Sequence, residues 1–280
     1  MPRLTVRQDL MNTIKITSIQ SGIADHSCQL ISAYISSQVG IPVEFISGLP
    51  WQEREEGFDT GEIQICWMCS LPYIWKAEQK LPYVELLAAP VMQLPRYLDQ
   101  PIYFSDIVVH RESDFRSFAD LRGASWAYNE PHSHSGFNLT RYKLALLGEN
   151  FDYFGDVVAS GAHDRSLEMI LKRQIDAAAI DSTVLELLLT LHPDIEKHIR
   201  IIDTWGPSPI PPWVIRKDVS HEVRDTIRQT LLQMHSDAQG REILDQGQID
   251  HFTLVEDQDY DPVREMAKMA ASVPSPQAEP

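Results

Sequence analysis

Ser133, His134, Ser135 and Gly136 stand in a row between a strand-like segment and an amphipathic run, and the serine and histidine side chains can donate hydrogen bonds to an anion. The preceding Ser125-Trp126-Ala127-Tyr128 is short, β-prone and flanked by turn formers, which predicts a buried strand. Asn129, Glu130 and Pro131 end it. In residues 137–147, Leu139, Tyr142, Leu146 and Leu147 recur at helical spacing, and Gly148 is a C-terminal stop. A strand that feeds a helix through a small, hydroxyl-rich loop leaves backbone N–H groups free at the positive end of a helix dipole, which makes an anion seat. The competing reading is that Ser133 or Ser135 only caps the helix.

Two other groupings could carry chemistry. Cys66-Trp67-Met68-Cys69 is a C-x-x-C pair of the kind used for redox work or a soft metal. Cys66 follows the strand-like residues 62–65 rather than opening a helix, so nothing lowers its thiol pKa. Cys28 is the third and last cysteine, and an odd count provides no disulfide framework. His132, His134 and His163 lack tight metal-ligand spacing, so neither a metal nor a cofactor is expected.

The elements that must position these residues read as strands alternating with helices. Strands are predicted at 14–19, 43–46, 63–66, 86–92, 107–110, 125–128, 157–160, 176–180, 199–202, 213–216 and 252–255. Helices are predicted at 26–39, 51–58, from 70 onward, and at 137–147, 164–173, 184–191, 222–237 and 261–271, with a helical turn at 114–123. Pro90 suggests an edge or a kink, and the proline-rich 205–212 excludes regular structure. The β-α-β-α-β order of the first seventy residues implies an open, mostly parallel sheet with helices on both faces. The pattern then repeats, which predicts an α/β protein of two lobes joined by two crossings, with ligands between them at the carboxyl ends of strands. Residues 14–104 with 206–271 form the first lobe and 105–205 the second, while 1–13 and 272–280 are flexible tails.

The composition narrows the function. An apolar fraction of 43% and a charged fraction of 23% over 280 residues are those of an ordinary globular chain with a substantial core. The net charge of −16 argues against a nucleic-acid surface, yet a cleft lined with N–H and O–H dipoles can still hold a small anion. No run is apolar enough for a membrane span, so no membrane insertion is expected. The N-terminus lacks a signal-peptide core, which predicts a cytoplasmic location unless an export signal has been removed, and Met11 is an alternative start.

The chain resembles the phosphate, phosphite and phosphonate substrate-binding proteins of ABC transporters, which have the two-lobed type II periplasmic binding fold. The resemblance runs over residues 14–269. It is carried by Tyr103-Phe104-Ser105, Phe118-Ala119-Asp120-Leu121-Arg122-Gly123, Ser133-His134-Ser135-Gly136, Ser160-Gly161-Ala162-His163, the run from Ile175 to Asp181, Pro207-Ser208-Pro209-Ile210-Pro211, and Asp259-Tyr260-Asp261-Pro262. The resemblance implies that Ser133 and Ser135 donate to a tetrahedral oxyanion and that His163 faces the same anion. It places His134 where the family has a threonine, which would alter ligand preference or add pH sensitivity. It also implies aromatic donors at Tyr103 and Tyr73, and an acid at Asp181 within reach of a ligand amine. Each has a bland alternative: a capping or core histidine, packing tyrosines, and a helix-capping aspartate. Trp67, Trp75, Trp126 and Trp205 are read as core or cleft wall.

The function expected from these readings is non-catalytic capture of a small oxyanion by a monomer, for delivery to an ABC permease and ATPase or to a sensor. The alternative is a cytosolic biosynthetic enzyme of the thiamine- or menaquinone-pathway type on the same fold, although no nucleophile–base or carboxylate pair stands out. A third reading is capture of arsenite or another soft ligand by Cys66 and Cys69.

Overall fold

The computed structural model describes residues 13–276, which build two mixed sheets covered by helices on both faces. The first half of the first sheet forms from β1 (Ile14–Ser18), α1 (Asp25–Val39), β2 (Val43–Ile46), α2 (Trp51–Thr60), β3 (Ile65–Trp67) and α3 (Ser70–Ala77). Next come β4 (Val84–Met92), β5 (Ile102–His110), β6 (Ser125–Tyr128), α4 (Leu139–Leu147), β7 (Asp156–Ala159), α5 (His163–Leu171), β8 (Ala177–Asp181), α6 (Ser182–Leu191) and β9 (Ile199–Pro209). The chain closes with β10 (Trp213–Arg216), α7 (His221–Gln233), α8 (Ala238–Gln246), β11 (Ile249–Thr253) and α9 (Asp261–Ala270).

The first sheet has the order β11-β4-β10-β3-β1-β2 and the second β7-β6-β8-β5-β9. Only β2-β1-β3 and β7-β6-β8 are parallel; β4, β10 and β11 enter antiparallel, as do β5 and β9. The sheets are thus mixed: parallel pairing joins three strands of six in the first and three of five in the second. The strands β5 and β9 run side by side between the two sheets, where Ile102 pairs with Pro209 and Tyr103 with Ser208, and they form the two crossings.

Strand alternation explains why both faces are buried. Ile65 and Trp67 of β3 and Trp213 and Ile215 of β10 join the core under α1, α7 and α8, whereas Cys66, Met68 and Val214 face the core under α3 and α9. In the second sheet Ala177 and Ala179 of β8 face Trp126, Trp205, Phe118 and Phe154, while Ala178 and Ile180 face α5 and α6. The small alanines leave room for the stacked aromatic cluster.

Four expectations are corrected. The segment from Trp205 to Pro209 is strand, because β9 is the edge of its sheet and an edge tolerates residues without an N–H. Pro90 is not on an edge strand; it lies past the end of β10, so β11 alone flanks it. Residues 222–237 hold α7 and a 3-10 turn, and α8 follows as a separate helix absent from the expectation. Finally, residues 272–276 are not all a free tail: Val273 is buried against the second core and its carbonyl accepts from the Arg141 guanidinium. The remaining tail residues, 1–12 and 277–280, lie outside the described residues. The final helix α9 packs against both α3 and α4, so it touches both halves of the molecule. No helix among the described residues is long and apolar enough to cross a membrane.

Candidate functional site

All six strands of the two parallel sets point their carboxyl ends at one cleft of about 240 Å³. After β1 comes Ser21, after β2 Pro50, after β3 Cys69, after β6 Ser133, after β7 Ala162 and after β8 Asp181, and each of these is the residue that opens the following helical segment. All six line the cleft. Six helical N-termini thus aim their partial positive charge at one volume.

The turn at Ser133 explains which side chains face it. The Ser133 carbonyl accepts from the Asn138 N–H at 3.0 Å, a wide π-turn over His134–Asn138 that precedes α4. Ser133 Oγ accepts from the Gly136 N–H at 3.1 Å, so Ser133 is indeed a cap, and its own O–H remains a donor. Ser135 Oγ lies 3.1 Å from His163 Nε2, and the Asn129 amide nitrogen is 3.2 Å from the same nitrogen. Burial pushes the His163 pKa down to about 4, partly offset by the Ala179 carbonyl, so the ring is neutral at pH 7. Gly136 is required here: a Cβ would stand 2.1 Å from Asn129 Oδ1 and 3.0 Å from His163 Cε1.

Of the residues expected at the site, Ser133, Ser135, His163 and Asp181 line the cleft together. Asp181 also caps α6, its Oδ1 accepting from the Thr183 N–H at 2.8 Å and hydroxyl at 2.7 Å, and burial raises its pKa to about 6. Tyr103 lies behind the lining. Its hydroxyl faces those of Ser70 and Ser135 but has no hydrogen bond of ordinary geometry, and the Ser70 hydroxyl is likewise unpartnered.

His134 and Tyr73 are placed elsewhere. The His134 ring turns inward, Nε2 to Ser208 Oγ at 3.1 Å and Nδ1 to the Asn138 amide at 3.0 Å. Burial lowers its pKa to about 3, which removes it as a pH sensor near neutrality. The Tyr73 hydroxyl donates to Asp257 Oδ1 at 2.7 Å and its ring packs on Tyr260. Trp67, Trp126 and Trp205 are core, whereas Trp75 is 42% exposed beside His132.

The cleft includes residues that sequence reasoning did not place there, Asn129, Glu130 and Arg54, and Cys69, which it read only as a redox or soft-ligand thiol. Arg54 is buried and donates through Nη1 to both oxygens of Asp25, at 3.1 and 3.2 Å, while its Nε has no partner. It sits in the acidic run Trp-Gln-Glu-Arg-Glu-Glu, which reads as a solvated face, so no local signal marks it. Cys69 was visible as the residue following a parallel strand. Its Sγ accepts from the His134 N–H at 3.2 Å, and burial holds the thiol pKa up at about 11. Cys66 is buried in β3 with its pKa pushed higher still, so neither sulfur rests as a thiolate at neutral pH. His132, His134 and His163 turn to different partners; among the described residues metal-ligand spacing occurs instead at Asp99, Asp250 and His251, none of which lines the cleft.

The fold has counterparts in known proteins. A protein designated a probable ABC transporter phosphite binding protein, PhnD1 of Prochlorococcus marinus (strain MIT 9301), is 20% identical over 259 residues, covering 88% of this chain and 84% of that one. The solved structure of PhnD1 in complex with methylphosphonate superposes with a TM-score of 0.82 at 18% identity, covering 94% of this chain and 99% of that chain. A binding-protein component of an ABC phosphonate transporter from Pseudomonas aeruginosa also gives 0.82 at 18% identity, over 92% of this chain and 86% of that one. The profile of the family described as the phosphonate ABC-transporter periplasmic substrate-binding proteins matches residues 20–260. With a match of that extent, the chain belongs to the periplasmic substrate-binding proteins of phosphonate ABC transporters.

Proposed function

We propose that the protein is a non-catalytic binding protein that closes two lobes on a small tetrahedral oxyanion of the phosphonate, phosphite or phosphate class. It presents that anion to an ABC permease and its ATPase. The observation that carries this reading is the convergence of six helical N-termini, the Ser133 and Ser135 hydroxyls and the buried Arg54 on one cleft of about 240 Å³. Each charge-assisted hydrogen bond there contributes roughly 1.5–3 kcal/mol net. Tyr103 and Ser70, whose hydroxyls are buried and unpaired, stand behind the same wall and supply reserve donors.

The lobes divide at the β5 and β9 crossings, close to 14–104 with 206–271 against 105–205, with α9 bridging them. The family's periplasmic setting supports work outside the cytoplasmic membrane, and a monomer suits this reading because one chain lines the whole cleft. The test is a thermal-shift and calorimetric panel of methylphosphonate, phosphite, phosphate and sulfate. A true ligand at a hundred times its Kd stabilises the fold by about 2.7 kcal/mol. Absence of a shift with every phosphorus oxyanion would defeat the proposal.

A further inference from the structure

The cleft has an electrostatic feature that a simple anion seat does not explain. Two carboxyl groups line it, Glu130 and Asp181, together with one guanidinium, Arg54, which Asp25 already neutralises. Asp181 is committed to capping α6. Glu130 is not committed: its Oε2 is buried and has no hydrogen-bond partner. A buried, ionised carboxylate oxygen with no donor, beside the seat of an incoming anion, would be doubly unfavourable, once from desolvation and once from like-charge repulsion.

Resting on the oxyanion reading above, we propose that Glu130 is protonated when the anion is bound and donates its O–H to a ligand oxygen, so that capture takes up one proton from the solvent. The lost repulsion becomes a hydrogen bond, the device by which a carboxylic acid kept neutral in an apolar site serves as a donor. Burial already raises the Glu130 pKa to about 7, with His132 lowering it and Glu55 raising it. The other charged or titratable groups facing it are Arg54 with Asp25, Glu55 with Lys76, Asp181, the neutral His163 and the protonated Cys69 thiol. An added anion raises the carboxyl's proton affinity further, so binding weakens as pH rises through its titration.

The experiment is titration calorimetry with methylphosphonate at pH 8, where a free carboxyl of pKa about 7 is mostly ionised, in two buffers of different ionisation enthalpy, on the full chain and on Glu130→Gln, followed by Kd at pH 6 and pH 8. The ligand's own ionisation is common to both proteins; His132, whose pKa the Glu130 charge raises, is followed separately by imidazole NMR in each protein and its proton change subtracted. The wild type takes up close to one proton more than the variant, and its Kd rises about tenfold more between pH 6 and 8. The variant, which keeps the donor without the charge, binds at pH 8 at least as tightly as the wild type. Equal proton uptake and parallel pH profiles overturn the inference while leaving the oxyanion reading standing. No binding of methylphosphonate, phosphite or phosphate by either protein overturns both. Should Glu130→Gln fail to fold, carboxyl NMR of the glutamate-labelled wild type decides it, since ligand addition at pH 8 must then convert one glutamate to its protonated form.

Discussion

Ser135 shares its hydroxyl with His163 and the cleft, and its carbonyl accepts from Ser105 Oγ at 2.9 Å, so it is held from both ends. Ser135→Ala removes a donor from the proposed seat without touching the backbone bond. The expected outcome is a weakening of methylphosphonate binding by about 1.5–3 kcal/mol, roughly ten- to a hundredfold in Kd, with little change in melting temperature. Unchanged affinity in a calorimetric titration removes Ser135 from the seat. Gly136→Ala is harsher, because the new methyl would displace the Asn129 amide and press on His163. Overpacking of that kind costs about 1–3 kcal/mol of stability, read in denaturant unfolding, and should abolish binding. At this scale the cleft-facing position of Ser133 and Ser135 was legible in the sequence and the inward turn of the His134 ring was not. Adjacent residues in an irregular turn point to opposite sides, and a π-turn obeys neither the strand nor the helix period. Arg54 was illegible because its role depends on Asp25 across the cleft wall, a pairing of residues 29 positions apart.

At the scale of elements, strands and helices with a strong period and a glycine stop were legible: β2, β6 and β10 match their expected bounds, and Gly40 and Gly148 end α1 and α4 in the left-handed conformation. What local pattern could not convey was neighbourhood. Whether prolines are tolerated depends on where a strand sits in its sheet, and so does the direction in which β4, β5, β9, β10 and β11 run. The crossing also relies on a distant ion pair. Asp106 of β5 is fully buried and is held by Arg96 through two bonds of 2.9 Å and by the Thr204 hydroxyl at 2.8 Å, while Arg96 also reaches Glu186 of α6 at 3.2 Å. Arg96→Ala would leave the Asp106 charge buried with one donor. Because Arg96 is itself partly exposed, the expected loss is about 2–3 kcal/mol rather than the full cost of stripping a buried pair, measured by urea unfolding. A loss below about 0.5 kcal/mol would place the strength of the crossing in its strand pairing alone.

For the molecule as a whole, the two halves meet at the cleft mouth as well as at the crossings. His132, in the loop after β6, is wedged against Trp51 and Trp75 at ring distances of 4.9 and 5.2 Å, and its Nδ1 lies 3.2 Å from Glu55 Oε2. Glu55 is also paired with Lys76 at 2.8 Å. The bond to Glu55 raises the His132 pKa, and although burial pushes the Glu55 pKa up, its bonds to His132 and Lys76 bring it below the ordinary value. A histidine whose pKa is raised by a contact strengthens that contact fully below its free pKa and loses the gain as pH rises through the raised one. The closed arrangement should therefore loosen as pH rises through the His132 titration. His132→Ala should loosen it at every pH, since the ring packing is lost as well. The pair is partly exposed, which limits the effect to about 0.5–1 kcal/mol, or roughly a two- to fivefold faster ligand off-rate. Stopped-flow release of methylphosphonate with small-angle scattering of the ligand-free protein checks both halves of this. A faster off-rate with an unchanged scattering profile would mean that His132 acts only through Glu130 and the cleft electrostatics. A larger radius of gyration together with the faster off-rate would make it a contact that holds the two halves shut.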